Sequence, residues 1–111
     1  MAADGKPSKA DYAVKQVETV ARGADVMARI FTLAPGEIIP WHAHSNVADH
    51  FFVLSGRLTV ETRAPDAAHS LGVGERFTVA PGNAHQTSNR GGADCRFLLV
   101  QGVGEYDWVK A

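Results

Sequence analysis

No window of about a dozen residues in this 111-residue chain keeps its apolar side chains on a 3.6-residue period, so helices are not expected to build the core. Short runs rich in β-branched and aromatic residues recur instead, each closed by Gly, Pro, Asn or Asp. The pattern predicts strands over residues 13–20, 26–33, 37–41, 50–54, 57–63, 69–71, 76–79, 84–88 and 95–101, with 106–109 as a tail strand. Ser55-Gly56 reads as a tight hairpin turn; Ala64-Pro65-Asp66, Gly72-Val73-Gly74, Pro81-Gly82-Asn83 and Asn89-Arg90-Gly91-Gly92 mark further turns. In 57–63, Leu58 and Val60 alternate with Arg57, Thr59, Glu61 and Arg63, the pattern of a strand with one wet face. Strands of this length, with turns every ~8–12 residues, make an all-β sandwich or barrel.

A chain of this length has room for one domain and can bury roughly two-thirds of its unfolded surface in one core. The polar opening, residues 1–12, has no apolar core of a secretory signal and is expected to be a loose arm ahead of a barrel over 13–111. No apolar run approaches the ~20 residues of a membrane span, and a cytoplasmic location is expected. Eleven basic and twelve acidic residues nearly cancel, and no Lys/Arg stripe could follow a phosphate backbone, so nucleic acid is not an expected partner. Cys95 stands alone, which excludes an internal disulfide and thiolate-cluster metal sites; its apolar neighbours predict a reduced thiol in or near the core.

Three of the five histidines fall where metal chemistry would want them. His42 and His44 are two apart, so on an extended segment both imidazoles share a face and can approach one ion at ~2.0–2.1 Å. Asp49 follows after a short loop and can return a carboxylate to the same ion. His85 follows the Pro81-Gly82-Asn83 turn and can reach the pair if its strand neighbours theirs. An H-x-H pair by itself is a weak signal, and His69, in a turn region, has no comparable setting.

What surrounds the pair resembles the two sequence motifs of the cupin superfamily. Gly36 is followed after five residues by His42 and His44, after four more by Asp49, and after six more by Gly56. Downstream, Gly74 is followed by Ala80, Gly82, His85 and Asn89 at the spacings of the second motif. The resemblance spans about residues 30–100 and implies a single-domain double-stranded β-helix, the jelly-roll cupin barrel, with His42, His44, Asp49 and His85 as metal ligands. Two positions depart from the motifs. Ala80 and Pro81 replace a proline one place earlier, and Asp49 stands where the family has glutamate, one methylene longer. Asp49 is expected as a ligand; the alternatives are a partner one hydrogen bond removed from the ion, or substitution by His50 through a β-bulge.

Imidazoles with at most one carboxylate suit one divalent transition-metal ion, Fe, Mn, Ni, Cu or Zn, and leave coordination positions open to a small molecule. The resemblance implies a metal-dependent enzyme acting on a small oxygen-bearing metabolite, as a dioxygenase, or as a lyase or isomerase. A non-catalytic binding or sensor module and a closed structural metal site are the alternatives. Any proton transfer would fall to Asp49 displaced from the ion, to a metal-bound hydroxide or to His50. Trp41, Phe31, Phe51, Val53, Phe77, Val79 and Phe97 are candidates for an apolar pocket wall, with Gln101 and Gln86 as its polar residues. Val14, Val17, Val20, Tyr106 and Trp108 are candidates for the face of a homodimer, or simply for cover over the barrel's own sheet.

Overall fold

A computed structural model describes residues 13–111; the expected arm, residues 1–12, lies outside the described residues. Ten strands follow in order: β1 (Gln16–Arg22), β2 (Val26–Leu33), β3 (Ile38–Ala43), β4 (Ala48–Ser55), β5 (Leu58–Arg63), β6 (Asp66–Leu71), β7 (Arg76–Val79), β8 (His85–Ser88), β9 (Cys95–Gly102) and β10 (Val109–Lys110). They form two five-stranded antiparallel sheets, β1-β2-β9-β4-β7 and β10-β3-β8-β5-β6, the double-stranded β-helix expected from the sequence. Among the described residues there is no helix, and so none long and apolar enough to cross a membrane.

The core lies between the sheets because the period-2 alternation of each strand turns one apolar set inward. Phe31 and Leu33 of β2, Phe51 and Val53 of β4, and Cys95, Phe97 and Leu99 of β9 meet Ile39, Leu58, Val60 and Leu71 of the opposite sheet. Phe31 and Phe97 stack with ring centroids 5.4 Å apart. Cys95 is buried and reduced among them, and burial pushes its thiol up to about 11.

Several expectations from sequence change in the folded chain. Strand β4 begins at Ala48, so Asp49 is a strand residue rather than a loop residue, and β3 extends through His42. Ser55-Gly56 is not a hairpin turn: β4 pairs with β7 and β9 while β5 pairs with β6 and β8, so the chain crosses there from one sheet to the other. The real two-residue hairpin is at Ala64-Pro65, between the paired Arg63 and Asp66. The outer face of β5 is wet only in part, since Thr59 is buried where β5 runs between β6 and β8.

The crossing requires glycine at position 56. Its φ is +76°, and a Cβ there would lie 2.5 Å from the Asp94 carbonyl oxygen and 3.0 Å from Cys95 Cα, both backbone atoms that cannot swing aside. Gly82 has a similar φ of +81° but meets nothing within 4 Å. Gly82→Ala should therefore cost only the left-handed strain, about 1 kcal/mol, and Gly56→Ala about 3 kcal/mol or more, as read from urea denaturation midpoints. Equal losses would show that the Gly56 contact relaxes freely.

Candidate metal centre

The two sheets contribute different chemistry to one end of the barrel. From one sheet come His42 at the end of β3, His44 just beyond it and His85 at the start of β8; from the other come Asp49 of β4, Gln101 of β9 and Arg29 of β2. A β-bulge decides the first group. Ile39 pairs with Thr87 and His42 with His85, three residues on β3 against two on β8, so one extra residue sits at Pro40-Trp41 and the alternation reverses. Pro40, without an N–H, suits a strand position where a ladder hydrogen bond is lost. The reversal turns His42 and His44 inward and Trp41 outward, where its ring lies under the Arg63 guanidinium at 4.3 Å. Trp41 is therefore not part of the pocket wall.

His85 is delivered by the turn before β8. Asn83 N–H donates to the Ala80 carbonyl at 3.2 Å, with Pro81 and the left-handed Gly82 at the two central positions, the residues a type II turn favours. The shift of proline from 80 to 81 therefore leaves a well-made turn. Asn89, last residue of the second motif, is buried and ties the loop after β8, its Nδ2 donating to the Leu33 and Ala93 carbonyls and its Oδ1 accepting from Gly91 N–H.

His42, His44, Asp49 and His85 converge, with one ligand atom from each lying within 4.8 Å of the others. Two donors on opposite sides of an ion at 2.1 Å would be about 4.2 Å apart, so the widest separation in the cluster is about 0.6 Å or less beyond that of a coordination shell. All four side chains are buried. Each imidazole is also aimed: Nδ1–H of His42 donates to the Pro40 carbonyl at 2.7 Å, that of His44 to Asp107 at 2.5 Å and that of His85 to Asn83 at 2.9 Å. A carbonyl can only accept, so Nδ1 carries the proton in all three rings and Nε2 is the nitrogen presented to the centre.

Asp49 is 1 % exposed and receives three contacts. Its Oδ2 lies 2.8 Å from His85 Nε2 and 3.2 Å from His44 Nε2, and its Oδ1 accepts from Gln101 Nε2 at 2.9 Å. Burial works to raise its pKa, but the two imidazoles outweigh it and hold the carboxyl well below the usual range. For His44, burial works downward, and the hydrogen bond and charge of Asp49 reverse it to a net upward shift. His42 goes the other way: burial first, then the neighbouring His85, push it down to about 3.

His50, expected as an alternative ligand or a proton carrier, is not in the cluster. The β4 ladder runs without interruption through Asp49, His50 and Phe51, so His50 takes the opposite face and its Nδ1 lies 2.9 Å from Thr78 Oγ1. His69 packs against Phe77 at 4.1 Å, away from the centre.

A cavity of about 20 Å³, enough for a water-sized group, adjoins the ligands. Phe31, Phe51 and Gln101 line it as expected. Val53, Val79 and Phe97 are core, Phe77 packs at the edge of that core, and Gln86 faces Glu61 instead. Tyr106 and Trp108 are not an outer face: Trp108 stacks on His42 at 3.6 Å and Tyr106 lies 5.1 Å from His44, both over the mouth. Sequence reasoning missed Arg29, which lines the cavity, and the signal was present: in β2 it shares the inward parity of Met27, Phe31 and Leu33.

The direction of the His42 shift has a measurable consequence for stability. The unfolded chain protonates this imidazole near 6.5 and the folded chain only near 3, so between these values the unfolded state binds the extra proton and stability falls as pH falls. In chelator-treated protein the slope should approach about 1.4 kcal/mol per pH unit from this group, while the raised pKa of His44 makes its own contribution vary only above 6.5. His42→Gln should flatten the decline in urea midpoint over that window; an unchanged slope would show that His42 titrates normally.

With this geometry in view, comparison with known proteins is informative. The cupin domain model matches residues 29–101. Germin-like protein 3-7 from Oryza sativa subsp. japonica is 34% identical over 71 residues, 61% of this chain but 30% of that protein, so the chain spans less than a third of this relative. A conserved double-stranded β-helix protein from Klebsiella pneumoniae superposes with a TM-score of 0.74 at 21% identity, covering 97% of this chain and 92% of the other. An oxalate oxidase superposes with a TM-score of 0.67 at 22% identity over 78% of this chain and 46% of that one. Two sheets in jelly-roll order, both motifs at one end of the barrel and a domain match over most of the chain lead to one conclusion: this protein belongs to the cupin family.

Proposed function

We propose that the protein is a metal-dependent enzyme acting on a small oxygen-bearing metabolite, with oxidative, dioxygenase-type chemistry favoured over a lyase or isomerase reaction. The observation that carries this reading is the convergence of three Nδ1-anchored imidazoles and one buried carboxylate beside a cavity. A structural site would need no cavity, and a binding module would need no such complete set of ligands. The likeness to a germin-like protein and to an oxalate oxidase supports the oxidative alternative.

His42, His44 and His85 would hold one divalent ion, Fe, Mn, Ni, Cu or Zn, with Asp49 as fourth ligand. When bound, such an ion supplies a Lewis acid with positions open to small oxygen ligands. The chain's own residues do the rest. Gln101 orients Asp49 through Oδ1, which aims Oδ2 at the Nε2 atoms of His44 and His85, where it would serve as the ligand atom. Phe31, Ile39, Phe51 and Leu99 exclude bulk water, and Trp108 holds the His42 ring in place by stacking. The reading also takes the protein as a cytoplasmic homodimer. A single buried thiol suits a reducing compartment, and Val20, 56% exposed on the edge strand β1, is the outward-facing part of the apolar set named for a dimer.

Elemental analysis of protein purified without chelator or affinity nickel should find one transition-metal ion per chain, lost in His42→Ala and in His85→Ala. Asp49→Ala should weaken retention less than either, by about 10- to 100-fold, because a short carboxylate contributes less than an imidazole. Equal losses would make Asp49 a full ligand, and retention in both histidine variants would overturn the metal centre. Oxygen uptake by Fe(II)-loaded protein over a panel of diketones, phenols and hydroxy acids then separates oxygenase chemistry from ligand binding alone.

A further inference from the structure

The two sheets differ on their outer faces. On β5, β6 and β8 the outward positions carry Thr59, Glu61, Ser70, Gln86 and Ser88, a polar set suited to water. On β2, β9 and β4 they carry Ile30, Leu98, Val100, Phe52 and Leu54, which are half-buried or exposed while the alternate residues of the same strands fill the core. Phe51-Phe52-Val53-Leu54 and Phe97-Leu98-Leu99-Val100 are therefore apolar without alternation, the composition of strands covered on both faces. The pairing sets these side chains side by side: Leu98 stands between Ile30 and Phe52, with Ala28 and Val100 in the next row. A contiguous apolar face rimmed by charges marks an interaction surface.

Charge and area identify what covers it. The row through Leu98 runs Glu18, Ile30, Leu98, Phe52, Arg76, acidic at the β1 edge and basic at the β7 edge, and β9 is the middle strand of the five. A two-fold axis along β9 in the plane of contact lays β9 on its own copy and β2 on the β4 of its partner. It also sets Glu18 of one protomer opposite Arg76 of its partner, twice over, and keeps the strand directions aligned as face-to-face sheets require. An axis across the strands would set Glu18 against Glu18 and Arg76 against Arg76, so the charges select the first arrangement. Among the described residues the Arg76 guanidinium makes no hydrogen bond or ion pair, and Glu18 has one long contact, 3.7 Å to Arg96. Arg96 leans toward the β1 edge to make it, so its two copies diverge from the axis. Five strands about 4.8 Å apart and about 26 Å long offer roughly 600 Å² per protomer, enough for the ~1,000 Å² in total that a specific interface needs. By composition residues 1–12, MAADGKPSKADY, hold no run of large apolar side chains that could cover the face instead.

We propose that the outer face of the sheet β1-β2-β9-β4-β7 is the interface of a two-fold symmetric dimer, its occupant a second copy of this chain, with β1 of each protomer over β7 of the other. The inference rests on the homodimer reading above and is independent of the metal. The interface leaves the ligand cluster uncovered, because Asp49 and Gln101 lie on the inward side of the strands whose outward side presents Phe52 and Val100.

Sedimentation equilibrium of the full chain at concentrations from about 1 to 100 µM, a range that captures a micromolar dissociation constant, is the test. Wild type should show twice the 11.9 kDa chain mass, and Leu98→Lys the single mass, because Leu98 meets its own copy on the axis and two lysines would face each other there. Glu18→Arg and Arg76→Glu, both at exposed positions, should each weaken dimerisation by about tenfold, and the double variant should recover the wild-type affinity. A monomeric wild type sinks this inference together with the homodimer reading and leaves the metal centre standing. A dimer that persists in folded Leu98→Lys keeps the homodimer and overturns this face alone. Should Leu98→Lys fail to fold, the charge exchange decides. Recovery in the double variant upholds the arrangement; single variants without effect, or a double variant no tighter than the singles, overturn it.

Discussion

A fully buried carboxylate is the constraint around which this molecule is arranged. Asp49 sits between two sheets in the interior of a small barrel, where an unpaired charge would cost several kcal/mol. It is tolerated because imidazoles from the opposite sheet and an amide from the adjacent strand surround its two oxygens. The sheets are therefore joined by apolar packing along most of their length and by a polar cluster at one end. Removing a single member of that cluster leaves the others buried without compensation, which is why site residues here are also stability residues.

The cluster forms only because two local departures from regular strand geometry coincide. The bulge at Pro40-Trp41 turns His42 and His44 into the barrel, and the turn at Pro81-Gly82 starts β8 so that His85 stands directly across the ladder from His42. The loops behind them lock together: Gly36 N–H donates to the Asn89 carbonyl, and Asn89 N–H donates to that of Glu37. The glycine opening the first motif and the asparagine closing the second are thus one structural joint between β3 and β8, the strands that carry His42 and His85.

Function follows from how the remaining wall is built. The segment from Tyr106 to Lys110 returns to the site, pairs with β3 at His42, places Trp108 on that ring and offers the Asp107 carbonyl to His44. It narrows the cavity to a size suited to few atoms and orients two of the three imidazoles. The size of the cavity and the aim of two imidazoles are therefore set by the same short stretch of chain, which meets Arg29 of β2 across the cavity lining.

Much of this was legible in the residues. Motif spacing placed His42, His44, Asp49 and His85 together, and β-strand composition with regular turns indicated an all-β barrel, because both signals are local and periodic. Arg29 is legible too, as a charge sharing the parity of Met27, Phe31 and Leu33 in β2. The partners of Tyr106 and Trp108 could not be read, since their contacts with His42 and His44 span more than 60 residues of sequence and depend on where the chain end returns. Nor could the reversal at Pro40-Trp41, which excludes Trp41 from the pocket: a bulge is decided by pairing with β8, not by the residues of β3 alone. By itself the sequence determined the class of fold and, through its resemblance to the cupin motifs, named His42, His44, Asp49 and His85 as candidate donors, because composition and spacing are properties of the chain. Tertiary structure alone decided which face each ligand takes, what closes the cavity and what charge lies opposite, because those depend on strand register between distant segments.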